Sequence, residues 1–260
     1  MNVTQHDEAD ARHRVCVIFA AGEYYAERPK VPAGAFVVAA DGGYDHAQAL
    51  GVTPDVIVGD FDSLEGNLPA QQGRFTPRTI TLPALKDDPD MLSALKIGWA
   101  AGCRVFHIWG GLGGRMDHAI ANIQLMALLA QRGAIGYLHG DDTVITAIAD
   151  GELAFAAHPV KRDGRMVSVF SHTDVSHDVN EPGCKYELLH GELTNTVVQG
   201  VSNEFRDNVP ARISVAQGTL IVSFPAECPM PNVTRFHEFS GDIGPLDTEV
   251  SALLVDTANA

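Results

Sequence analysis

The sequence predicts an α/β protein whose mostly parallel sheet and flanking helices are followed by a smaller antiparallel β domain. Three observations carry that prediction. Up to about Ala149, short apolar runs alternate with Ala- and Leu-rich stretches of helical spacing. The runs are rich in Val, Ile and Phe and bounded by Gly, Pro or Asp, as buried strands are, and the helical stretches close on a glycine. After Gly151 the helical signal fades and short strand candidates succeed one another between turn residues.

Taken in order, VCVIFA (15–20), AFVVAA (35–40), DVIVGD (55–60), CRVFHIWG (103–110) and AIGYLHG (134–140) are the expected strands of the first part. YDHAQALG (44–51), DMLSALKIGWAAG (90–102) and DHAIANIQLMALLAQRG (117–133) are its helices. In the second part, GRMVSVFSHT, KYELLHGELT, ARISVAQ and GTLIVSFP are strand candidates. The expected domains are therefore 15–150 and 151–228, with tails at 1–14 and 229–260.

Bulk properties bound the function. The chain has 260 residues and a formal net charge of −15, a field that opposes DNA, RNA or anionic lipid. A phosphate ligand among so many acids calls for a bridging divalent cation. The four cysteines, Cys16, Cys103, Cys184 and Cys228, form no C-x-x-C pair, and the lone histidines His107 and His118 offer no zinc spacing. The N-terminal residues lack the apolar core of a secretory signal, and no segment reaches the ~20 apolar residues of a membrane span. A soluble protein of the reducing cytoplasm is expected.

Chemistry-bearing residues gather where strands end. VVAADGGYDHAQALG places Asp41, Gly42 and Gly43 between a strand and a helix, at the edge of a parallel sheet where ligands collect; its purely structural reading is a helix cap and a turn. DVIVGDFDSL ends in Asp60 and Asp62, which period-two alternation sets on one side as oxygen ligands for a hard cation such as magnesium. LKDDPDMLSAL puts Lys86 beside Asp87, Asp88 and Asp90 at a helix start, where acids also suit the helix dipole and Pro89 the first turn. FHIWGGLGGRMDHAIAN opens a strand into a glycine turn. There the amides of Gly113 and Gly114, the fork of Arg115 and a helix start with Asp117 resemble a phosphate cradle, though neither the P-loop nor the dinucleotide fingerprint is matched. In the second part, QGVSNEFRDN offers Ser202, Asn203 and Glu204, polar enough for a ligand and equally typical of a turn.

In this order, DGG…PDVIVGDFDS…KDDPD…GGLGGRMDH…GVSNEF resembles the thiamine pyrophosphokinase family, over about Val15 to Ser223. The resemblance implies a Rossmann-like catalytic domain followed by a β-sandwich, in a homodimer whose thiamine site draws on both subunits. It implies that the thiamine hydroxyl attacks the β-phosphorus of ATP, giving thiamine diphosphate and AMP with Mg²⁺ as cofactor. Asp60, Asp62 and Asp90 match the family's metal-associated acids. Asp41, Arg115 and Asp117 match other residues of its catalytic face, Lys86 and Gly113-Gly114-Arg115 fall to the nucleotide, and Ser202 and Asn203 match its thiamine-contacting segment. Two departures stand out: Pro89 occupies the place of a usual threonine, removing a hydroxyl and an N–H, and the C-terminal extension has no counterpart in the pattern. The competing expectations are diphosphate transfer to another small alcohol such as a hydroxymethylpterin, a glycosyltransferase using Asp60 and Asp62, and a metal-nucleotide or thiamine-binding module without turnover.

Overall fold

The computed structural model describes residues 14–25, 28–61, 76–161 and 165–251. They divide into two compact units, one comprising residues 14–23, 29–61, 76–115 and 243–251 and the other residues 24–25, 28, 116–161 and 165–242.

The first unit is an open parallel sheet. Strands β1 (Val15–Phe19), β2 (Phe36–Ala40), β3 (Val56–Gly59), β4 (Arg78–Thr81) and β5 (Val105–Trp109) lie in the order β5-β1-β2-β3-β4, each pair parallel. Helix α1 (Gly43–Ala49) connects β2 to β3 and α2 (Asp90–Ala100) connects β4 to β5. Cys16, Val17, Ile18 and Phe19 are all fully buried, which explains why β1 reads as an unbroken apolar run: both faces are covered. After four strands the chain returns to the far side of β1 to add β5, so the order of strand addition reverses between β1 and β5, and crevices for ligands form outside the carboxyl ends of strands at such a point. The two loops there are joined, with Ala20 N–H donating to the Trp109 carbonyl at 2.8 Å and Gly22 N–H to the Gly110 carbonyl at 2.9 Å.

One glycine sets the approach of α1. A Cβ built on Gly43 would stand 2.1 Å from the Phe19 carbonyl oxygen, so only hydrogen lets the helix begin this close to β1.

The second unit consists of helix α3 (Met116–Ala130) and strands β6 (Ile135–His139), β7 (Thr143–Phe155), β8 (Met166–Ser171), β9 (Val175–Asn180), β10 (Gly191–Thr194), β11 (Asn203–Glu204), β12 (Ala211–Pro225) and β13 (Asn232–Arg235). Its strand pairs are antiparallel. The long β7 and β12 form its spine; the other edge of β12 is shared by β9 towards its start and β8 towards its end. Phe155 packs on Phe205 and Phe224, with ring centroids 4.9 and 5.2 Å apart.

Several expectations are corrected here. ARISVAQ and GTLIVSFP are one strand, β12, interrupted by a register shift between Val215 and Thr219 where Gly218 N–H donates to Asp150 Oδ1 at 2.8 Å. Only Gly191–Thr194 of KYELLHGELT is strand. β7 runs unbroken through Asp150 and Gly151, and β13 lies inside the segment expected as a tail. No described helix is long and apolar enough to cross a membrane.

Candidate functional site

The acids at the strand ends converge. One carboxylate oxygen from each of Asp41, Asp60 and Asp90 lies within 4.8 Å of the other two. Three different elements supply them: the chain just after β2, the chain just after β3, and the first residue of α2.

Asp41 is held in the left-handed region (φ 49°), with its N–H bonded to the Val58 carbonyl at 2.8 Å, so the backbone at the end of β2 is locked against β3. Its side chain does not cap α1; the N-cap is Gly42, without a side-chain cap bond. The carboxylate is buried, and its Oδ1 has no hydrogen-bond partner among the described residues. An unpartnered buried carboxylate is costly, and a ligand that satisfies it is the usual reason for keeping one.

Asp60 and Asp90 share a cation. Lys86 Nζ lies 3.1 Å from Asp90 Oδ1 and 3.8 Å from Asp60 Oδ2, and the lysine side chain is only 6% exposed. Burial holds the Asp90 carboxyl above its usual range, with the Lys86 ammonium pulling the other way and the Asp60 and Asp41 charges adding to the rise. Pro89 is the N-cap of α2, with extended backbone (ψ 154°), and Asp90 is the first helical residue. The proline thus starts the helix and leaves Asp90 facing its neighbours. Asp87 and Asp88 face elsewhere: Asp88 pairs with Lys96 on α2, and Asp87 accepts from Ser251.

The remaining expected residues fall in different places. β3 ends at Gly59 and Phe61 is left-handed (φ 64°), so the strand alternation that paired Asp60 with Asp62 stops before it reaches them. Asp62 itself lies outside the described residues. Gly113 and Gly114 have φ 80° and 66°, as a tight turn after β5 requires, and Arg115 follows them exposed at the carboxyl edge of the first unit. Asp117 is exposed in the first turn of α3, in the second unit. Ser202, exposed and left-handed (φ 62°), and Asn203, buried, also belong to the second unit.

Asn203 is fully occupied. Its Oδ1 accepts from Tyr186 N–H (3.0 Å) and Glu204 N–H (2.9 Å), while Nδ2 donates to Glu181 Oε2 and to the Tyr186 carbonyl, both at 2.8 Å. It forms part of the wall of a cavity of about 460 Å³ that Glu181, Tyr186, Leu188, Leu193 and Val201 also line. Burial raises the Glu181 carboxyl above its usual value, partly offset by the Asn203 hydrogen bond. Glu181 and Tyr186 are residues that sequence reasoning missed, for nothing in their local pattern marks them.

The fold and the acid cluster define a class: an α/β protein whose sheet edge presents converging carboxylates suited to a hard cation. Three oxygen donors, one of them buried without a partner, fit such an ion, which prefers oxygen ligands and reaches proteins through a few carboxylates. Residues 31–135 match the family model of the thiamin pyrophosphokinase catalytic domain. The thiamine pyrophosphokinase of Bacillus subtilis (strain 168) is 26% identical over 174 residues, 66% of this chain and 78% of that protein. Among solved structures, the Bacillus subtilis thiamine pyrophosphokinase superposes with a TM-score of 0.65 at 22% identity, covering 82% of this chain and all of the other. The thiamin pyrophosphokinase of Candida albicans reaches 0.63 at 12% identity, over 81% and 88% of the two chains, which shows a shared fold.

Proposed function

We propose that the chain is a thiamine diphosphokinase, transferring the diphosphate of ATP to the hydroxyl of thiamine with release of AMP. The observation that carries this reading is the convergence of Asp41, Asp60, Asp90 and Lys86 at the carboxyl edge of a sheet whose sequence matches the family's catalytic domain.

On this reading Asp41, Asp60 and Asp90 hold Mg²⁺, with Asp62 a fourth candidate. Bound there, the ion would offset polyphosphate charge and polarise the reacting phosphoryl group. Gly113 and Gly114 present backbone amides, and Arg115 a planar fork, to the phosphates of ATP. Lys86, poised between Asp60 and Asp90, fixes both carboxylates and keeps the local charge from becoming wholly negative. In the transfer the thiamine hydroxyl oxygen bonds to the β-phosphorus and its proton is released to water, the bond from that phosphorus to the α–β bridging oxygen breaks, and AMP leaves with the bridging oxygen. Catalysis of this kind rests on positioning and charge neutralisation, which are the two things this cluster supplies.

The acceptor falls to the second part of the chain, expected as a β-sandwich after a Rossmann-like catalytic domain. Ser202 would meet thiamine directly, whereas Asn203, its hydrogen bonds already used, would act by shaping the segment. Asp117 is assigned to the catalytic face, a homodimer to the assembly and the cytoplasm to its place of work. The test is incubation of the pure protein with Mg-ATP and thiamine. AMP and thiamine diphosphate appearing in equal amounts support the reading, and their absence, or ADP instead of AMP, refutes it. A hydroxymethylpterin offered in place of thiamine tests the neighbouring activity.

A further inference from the structure

The acceptance of a hydrogen bond by Asp87 from a residue 164 positions later singles out the C-terminal segment. Residues 83–88 lie between β4 and α2 in neither helix nor strand, yet this turn carries Lys86. Among the described residues its one bond of backbone to backbone is the Leu85 carbonyl accepting from Ser251 N–H at 2.9 Å. Ser251 also donates its hydroxyl to Asp87 Oδ1. The two bonds fall on either side of Lys86. The start of the same segment is anchored in the same unit: Ile243 is buried, and a Cβ on Gly244 would lie 3.7 Å from Lys96 Nζ, the group that pairs with Asp88.

We infer that residues 243–251 form a strap that holds the Lys86 turn in place, with Ser251 a positioning residue for the Lys86 contacts to Asp60 and Asp90. The physical need is clear from the turn itself. Asp87 is exposed, and Lys86 beside it must still keep its ammonium buried between two carboxylates. A turn without secondary structure loses conformational freedom when it adopts one geometry, and that loss must be offset by bonds from outside. Ser251 supplies two of them, one to the main chain and one to a side chain. Asp88 and Lys96 supply a third, tying the turn to α2. The three acids of KDDPD thus do different things: Asp87 receives the strap, Asp88 receives the helix, and Asp90 faces the site.

The consequence for turnover rests on the diphosphokinase reading; the strap itself does not, so the test has two readouts. The first is acetylation of the full-length protein by an N-hydroxysuccinimide ester, with each lysine followed by mass spectrometry and Lys161, whose side chain is 82% exposed, as reference. Ser251→Ala is expected to raise the labelling rate of Lys86 about fivefold, the factor for one hydrogen bond of ordinary net strength. Ser251→Thr should restore protection, Asp87→Ala should match Ser251→Ala, and the double variant should add little to either. Unchanged Lys86 labelling in Ser251→Ala and Asp87→Ala overturns the strap, as does a rise shared by all lysines with a lowered melting temperature. The second readout is kinetic: kcat for thiamine diphosphate formation falls in Ser251→Ala while KM for thiamine holds, with recovery in Ser251→Thr. Looser Lys86 with unaltered kcat overturns the positioning role. Wild-type protein that forms no thiamine diphosphate refutes the diphosphokinase reading alone, and the labelling still decides the strap.

Discussion

Asp41 combines a left-handed backbone, a buried carboxylate and an oxygen without a partner among the described residues. Asparagine tolerates the same backbone region and nearly the same volume but carries no charge. Asp41→Asn should therefore melt no lower than wild type in chelator, because it relieves repulsion with Asp60 and Asp90. It should also lose the rise in melting temperature that Mg²⁺ gives by binding the folded state, and turnover should fall on the order of 100-fold. Melting curves in EDTA and in Mg²⁺ check this, and a full Mg²⁺ response in the variant removes Asp41 from the cluster. Glu181 gives a pH-dependent case. Its folded-state value lies above the ordinary 4.5, so at any pH above both values the folded state bears an unfavourable charge, and this penalty fades as pH falls through the folded value towards 4.5. Glu181→Gln keeps an oxygen to accept from Asn203 and removes the charge. It should melt higher than wild type near neutral pH and lose that advantage below pH 4.5, as a series of melts across pH would show. Asp41, Asp60 and Asp90 were legible in the sequence because strand ends and helix starts announce themselves locally. The hydrogen bonds of Asn203 were not, since its partners Tyr186 and Glu181 stand 17 and 22 residues away and only the fold joins them.

At the scale of elements, α1 depends on its first residue. Gly43→Ala would set a methyl group 2.1 Å from the Phe19 carbonyl oxygen, a backbone atom that cannot move without disturbing β1. A loss of about 2–4 kcal/mol in unfolding free energy is expected, measurable by urea denaturation; a change below ~0.5 kcal/mol would show that α1 shifts freely. The cost should reach the site too, because Asp41 and Gly42 lead directly into this helix. The five apolar runs read as strands all are strands, and the three helical stretches all are helices, since burial on both faces and glycine stops write themselves plainly into sequence. β4 was missed for the opposite reason. Arg78 and Thr81 are exposed, Thr79 and Ile80 are only partly buried, and the four carry a single aliphatic side chain, so no apolar run marks them. β12 was split in two because the Gln217-Gly218 interruption looks like a turn, whereas in the fold Asp150 receives the Gly218 N–H and the strand continues past its bulge.

For the molecule as a whole, the formal charge of −15 is a standing strain on compactness. Raising ionic strength from about 0.01 to 0.15 M shortens the screening length from roughly 30 to 8 Å. Melting temperature should climb over that range of NaCl, and Mg²⁺ at matched ionic strength should raise it further in wild type but not in Asp41→Asn. A flat response to NaCl would mean that the acids are already balanced by the fold. Net charge was readable from composition, but the way the chain closes on itself was not, because β13 contains one apolar residue, Val233, and resembles a tail. Its place matters in time as well as in space. β7 pairs with β12 along one edge, while its other edge is met by β6 near the start and by β13 over Gly151–Ala154 and neighbouring positions. On the ribosome, β13 is complete roughly 80 residues after β7, an interval of about 4–16 s at ordinary elongation rates. Throughout it, part of a long strand stands open to a strand from any neighbouring chain. Loss of β13 would therefore be felt first during synthesis, as protein diverted into inclusion bodies before the finished fold has been reached.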